Sequence, residues 1–173
     1  MEAPLADGER AVNLGCGKIA WPGWIGVDLH GHAAVKADLL ALPFDTNSID
    51  RMAAIHVIEH LYHWEVDAVL REWQRVLKPD GTLVIECPDM QKVFNHIFLR
   101  MKKGEPPSPS FSWYALWGDP SYQDPAMVHK WGYCRPDIET LLLRAGFCQV
   151  EHEEARYHFP TRDLRVTARK ERP

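Results

Sequence analysis

Short apolar runs alternate with turn residues through the first half of the chain. Ala11 to Leu14 is one such run and ends in Gly15-Cys16-Gly17. Trp24-Ile25-Gly26-Val27 is a second, ending at Asp28, and Ala34 to Ala37 a third, ending at Asp38. Asp50 to His56 and Thr82 to Cys87 complete the set. Each has strand length, is rich in branched or aromatic residues, and stops at a polar residue or glycine. Between the last two, Val66, Val69, Leu70, Trp73, Val76 and Leu77 recur at helical spacing, and Lys78-Pro79-Asp80-Gly81 is expected to end that helix. Strands separated by helical segments predict a mainly parallel sheet covered by helices.

The second half has a different texture. Gln91 to Lys103 predicts a helix with Val93, Phe94, Ile97, Phe98 and Met101 on one side, followed by a proline-rich break at Gly104 to Ser110. Phe111 to Tyr133 carries seven Phe, Trp and Tyr residues among Gly, Asp and Pro, which predicts a long ordered loop or lid, about 104–135, whose aromatics pack onto the sheet. Pro136 opens a helix capped by Gly146. Phe147 to Glu151 and Leu164 to Ala168 are expected as an antiparallel hairpin at the sheet edge. The expected fold is α/β, a Rossmann-like mainly parallel sheet with an antiparallel C-terminal hairpin, in a single domain over residues 1–173.

Composition narrows the function. The 173 residues suit one domain; 46% are apolar and 25% charged, which excludes disorder throughout and a fibrous chain. The formal charge of −4 argues against a duplex nucleic-acid partner. No apolar run reaches the ~20 residues of a membrane helix. Cys16, Cys87, Cys134 and Cys148 form no C-x-x-C pair, so free thiols in a reducing cytoplasm are expected, and neither secretion nor a membrane is.

The chemistry gathers at the strand ends, where open α/β sheets bind ligands. Gly15 and Gly17 let the backbone approach a ligand with no Cβ in the way. Asp28 can accept from two ribose hydroxyls, and Asp38 from an exocyclic adenine amine. That order is expected for a nucleoside-bearing cofactor.

Val12-Asn13-Leu14-Gly15-Cys16-Gly17, Gly26-Val27-Asp28-Leu29, Ala37-Asp38-Leu39, Val57-Ile58-Glu59-His60-Leu61 and Arg75-Val76-Leu77-Lys78-Pro79-Asp80-Gly81-Thr82-Leu83 together resemble a class I S-adenosylmethionine-dependent methyltransferase of the type 11 kind. The resemblance is close over residues 11–88 and loose elsewhere. It implies S-adenosylmethionine as cofactor, with Gly15 and Gly17 bordering its methionine part and Asn13 and Cys16 beside them. It also implies Asp28, with Leu29 next to it, on the ribose, Asp38 and the Leu39 amide at the adenine, and His56 facing cofactor or acceptor. One departure stands out. Only Cys16 to Gly23 separates the first two strands, too short for the usual crossover, and Pro22-Gly23 would cut a helix, so that helix is expected to be reduced or absent.

Gly15-Cys16-Gly17-Lys18-Ile19-Ala20 also fits a dinucleotide fingerprint, but Pro22 interrupts the required helix and Asp28 comes too soon, so NAD is not expected. His56, His60 and His63 lack a metal-ligand context, and no metal is expected. Met127-Val128-His129-Lys130-Trp131-Gly132-Tyr133 resembles small methyltransferases of polysaccharide and surface-sugar biosynthesis, in which a His-Lys segment lines the acceptor pocket. His129, Tyr133 and His56 are therefore the catalytic candidates, being able to exchange protons. The expected reaction is methyl transfer to an oxygen of a small molecule, a sugar or phosphorylated metabolite. A non-catalytic S-adenosylmethionine-binding domain and a protein or RNA methyltransferase are the alternatives, and oligomeric state is not legible.

Overall fold

The computed structural model describes residues 2, 4–30 and 33–172. Seven strands form one sheet: β1 (Ala11–Leu14), β2 (Trp24–Asp28), β3 (Val35–Lys36), β4 (Ile49–Ile55), β5 (Leu77–Pro88), β6 (Phe147–Glu153) and β7 (Asp163–Lys170). Their order is β3-β2-β1-β4-β5-β7-β6. β1 to β5 pair in parallel, and β7 runs antiparallel between β5 and β6. This is the expected mainly parallel sheet with its C-terminal hairpin. β1 is wholly buried at the centre, as a parallel strand with neighbours on both sides should be.

Among the described residues four α-helices accompany the sheet: α1 (Val66–Val76), α2 (Met90–Lys102), α3 (Tyr114–Trp117) and α4 (Arg135–Arg144). α1 follows the expected stripe, burying Val66, Val69, Leu70, Trp73 and Val76. α4 packs against α1, β6 and β7, and Gly146 follows it at φ +91°, a left-handed position that glycine adopts without strain. Among the described residues no helix lies between β1 and β2; Cys16–Gly23 is held by turns, with Ile19 N–H donating to Cys16 O and Trp24 N–H to Trp21 O.

Three expectations are corrected. Lys78-Pro79-Asp80-Gly81 follows the end of α1 as expected, but it lies inside a strand rather than ahead of one. β5 starts at Leu77 opposite Ile49, slips register, and resumes with Thr82 opposite Arg51, Asp80 taking φ +61° in the bulge. The expected apolar side of α2 is not buried: only Val93 is, while Phe94, Phe98 and Met101 are exposed. The lid contains a π-helical turn (Pro109–Trp113), α3 and a 3-10 turn (Pro125–Met127), and Trp113, Trp117, Tyr122 and Trp131 face solvent rather than packing onto the sheet. No described helix is long and apolar enough to cross a membrane.

Candidate functional site

The carboxyl ends of β1, β2 and β4 converge on the glycine loop. Gly15 and Gly17 have φ of +60° and +54°. A Cβ on Gly15 would lie 2.6 Å from Val57 Cγ2, whereas one on Gly17 would meet nothing within 4 Å. The loop is thus pressed against the end of β4 at Gly15 and open at Gly17. No helix N-terminus holds it. Instead Asp28 does: its Oδ2 accepts from Gly17 N–H at 2.8 Å and its Oδ1 from His30 N–H at 2.8 Å. Each carboxylate oxygen keeps a further lone pair, so this half-buried Asp28 can still take two hydroxyls. Cys16 is buried against Gly26, and its thiol is pushed up by burial and by Asp28.

The residues expected at the adenine are fastened by α1. Asp38 Oδ1 accepts from Leu40 N–H, which fixes the exposed carboxylate, and Trp73 Nε1–H donates to Leu39 O at 3.2 Å. Arg75 donates to the Leu42 and Phe44 carbonyls, and Glu72 accepts from Leu42 N–H. Asn13 is buried inside β1, and the Leu29 side chain is exposed. A loop open at Gly17, followed by Asp28 and Asp38 on neighbouring strand ends, fits the adenosyl cofactor.

His56 directly follows β4 at φ +54°, its ring between two buried carboxylates: Nδ1 is 3.0 Å from Glu59 Oε1 and Nε2 3.1 Å from Asp163 Oδ2. Burial alone would depress its pKa, but the bonds to Asp163 and Glu59 outweigh it and push the imidazole up to about 9. Burial opposes the Asp163 charge, yet His56 and Arg162 hold that carboxyl at about 2. His56 is therefore a charged, doubly engaged anchor at neutral pH, with no free lone pair for a proton. Tyr133 is 1% exposed in the core; burial, then Cys87 and Glu59, raise its phenol, so it neither meets an acceptor nor exchanges a proton near neutrality.

His129 is placed differently. Its Nδ1 lies 2.9 Å from Ala115 O and donates there, leaving Nε2 as the lone-pair nitrogen. Its segment is stitched to the turn after β4: Lys130 and Trp131 N–H donate to Glu59 O, and Lys130 Nζ to His60 O at 2.8 Å. The His60 and His129 rings meet edge to face at 4.8 Å. Glu59 and Asp163 were not legible as site residues. Glu59 lay within a motif without a role of its own, and Asp163 is 107 positions from the ring it engages.

Residues 23–85 match the methyltransferase domain family. No curated protein matches the sequence. Among solved structures, a SAM-dependent methyltransferase of Archaeoglobus fulgidus is 18% identical at a TM-score of 0.64, over 94% of this chain and 86% of that one. One of Methanosarcina mazei is 16% identical at 0.61, over 96% and 94%. Phosphoethanolamine N-methyltransferase 2 of Haemonchus contortus, in complex with S-adenosyl-L-methionine, is 14% identical at 0.58, over 98% of this chain and 50% of that one. At these identities the likeness is one of fold.

Proposed function

We propose that this S-adenosylmethionine-dependent methyltransferase moves the methyl group to an oxygen of a small acceptor, a sugar or phosphorylated metabolite. The observation that carries the reading is the seam between lid and sheet. Residues 128–131 are bonded to Glu59 and His60 at the end of β4, two residues beyond the Val57 that presses on the glycine loop. In this reading His129 serves the acceptor, while Asp28 and Asp38, at the ends of β2 and β3, serve the cofactor. The formal charge of −4 also favours a small acceptor over a polyanion.

The cofactor supplies a methyl group already activated by the positive sulfur. The chain's own task is alignment, which can account for several kcal/mol of a barrier. Asp28 fixes the ribose and the glycine loop together, Asp38 and the Leu39 amide take the adenine, and the lid closes the acceptor side against water. With the cofactor bound, methyl transfer to the acceptor oxygen would release the hydroxyl proton, which His129 Nε2 would accept. His56, already protonated, holds Glu59 and Asp163 in place.

Calorimetry with S-adenosylhomocysteine and NAD, followed by transfer of labelled methyl from S-adenosylmethionine to a panel of sugars, sugar phosphates, RNA and protein, tests this. Binding of the adenosyl ligand but not NAD, with label on a small hydroxyl compound, is expected. Label only on RNA or protein would overturn the acceptor assignment. Binding without transfer to any of these would favour a non-catalytic binding domain.

A further inference from the structure

The seam contains a cluster of which methyl transfer as described uses His129 but neither Glu59 nor His60 as a ligand. Glu59, His60 and His129 each offer a ligand atom, and these atoms lie within 4.8 Å of one another. Glu59 is 2% exposed, its Oε1 faces His56, and its Oε2 is buried without any hydrogen-bond partner. Leaving a buried carboxylate oxygen unpaired is costly, and such an atom calls for a ligand. Both histidines are oriented alike: His60 Nδ1 lies 3.3 Å from Val128 O, and His129 Nδ1 lies 2.9 Å from Ala115 O. Each ring that donates Nδ1–H to a backbone carbonyl is left with an Nε2 lone pair. This is the outer-shell arrangement that orients metal-ligating histidines.

We propose that Glu59, His60 and His129 form a binding site for one divalent first-row transition-metal ion, at the junction of the lid and the end of β4. Two imidazoles and one carboxylate suit Mn²⁺, Fe²⁺, Co²⁺ or Zn²⁺ better than Mg²⁺, and three protein ligands leave positions open for an oxygen ligand. Bonds of about 2.1 Å set ligand atoms roughly 3–3.5 Å apart, so the ion draws the three groups inward and locks lid to sheet. The nearby cations do not occupy the site: Lys130 Nζ is directed at His60 O, and His56 holds the other oxygen of Glu59. The ion's role at the acceptor rests on the small-hydroxyl reading above, with His129 then serving as ligand; its binding does not.

The test is titration of the chelator-treated full chain with Co²⁺, followed by its visible absorption, and with Zn²⁺, followed by calorimetry and melting temperature. One ion is expected per chain, bound in the micromolar range or tighter, with a rise in melting temperature. Glu59→Gln, His60→Ala and His129→Ala should each weaken binding at least tenfold, while His63→Ala and His152→Ala leave it unchanged. His129→Gln shortens the risk of misfolding and should weaken it likewise. No ion bound by the parent, or binding that survives both His60→Ala and His129→Ala, would overturn the site. Neither methyl donor nor acceptor enters this titration, so its failure leaves the methyl-transfer reading standing, and the reverse also holds.

Discussion

Gly15 and Gly17 share a left-handed backbone but differ in what surrounds them, and that difference can be measured. Alanine at φ +60° or +54° incurs about 1–2 kcal/mol of backbone strain at either position. At Gly15 the new Cβ would also sit 2.6 Å from Val57 Cγ2 and 3.1 Å from Cγ1, and overpacking of this kind adds about 1–3 kcal/mol. Gly15→Ala should therefore destabilise by about 2–5 kcal/mol and Gly17→Ala by about 1–2 kcal/mol. At roughly 2–4 °C per kcal/mol for a chain of this size, the Gly15 variant melts several degrees below the Gly17 one. Val57→Ala removes both clashing methyls and leaves the Val57 Cβ at an ordinary 3.4 Å. In the double variant the second penalty should vanish, giving a coupling of about 1–3 kcal/mol in a denaturation cycle. Equal losses at the two glycines, or no coupling to Val57, would refute the close approach of the loop to the end of β4.

Asp28→Ala removes a two-pronged charged acceptor worth about 1.5–3 kcal/mol, so S-adenosylhomocysteine affinity should fall roughly ten- to over a hundredfold by calorimetry. Asp38→Ala should lose less, the Leu39 backbone remaining anchored through its carbonyl, which accepts from Trp73 Nε1–H. His129→Ala should leave that affinity nearly unchanged while turnover drops by ~10²-fold or more, measured on an identified acceptor; unchanged turnover in a folded variant would remove it from the site. The His56 imidazole, raised from 6.5 to about 9 when folded, contributes stability that is complete below pH 6.5 and lost as pH rises through about 9. The depressed His60 and His158 act only below 6.5, so the fall in denaturation midpoint between pH 6.5 and 9 should flatten in His56→Gln.

Where the signal was local, sequence and structure agree. The order of Gly15-Cys16-Gly17, Asp28 and Asp38 at successive strand ends, and the missing helix implied by Pro22-Gly23, follow from turn chemistry and spacing alone. α1 declared itself by its stripe, but the clamp that Glu72, Trp73 and Arg75 place on Leu39–Phe44 did not, because it joins segments about thirty residues apart. The charge state of His56 depends on Asp163, which only the antiparallel insertion of β7 brings beside it. Apolar periodicity also misled: the side of α2 that reads as core carries Phe94 and Phe98 at 56% and 66% exposure, since a 3.6-residue pattern says nothing of what lies opposite.

The short link between β1 and β2 sets an order of assembly. Nine residues separate these strands, against 74 between β5 and β7. Loop closure scaling as (3/2)RT ln n makes the second pairing about 2 kcal/mol dearer in chain entropy before any contact rewards it. The glycine loop and Asp28 thus belong to a local unit that can form early, whereas β7 is among the last strands to dock. Asp163, and with it the counter-ion of His56, arrives only at that step. The glycine loop and its Asp28 clamp are assembled from neighbours in the chain; the ion pair that anchors His56 to Asp163 waits for the last strands.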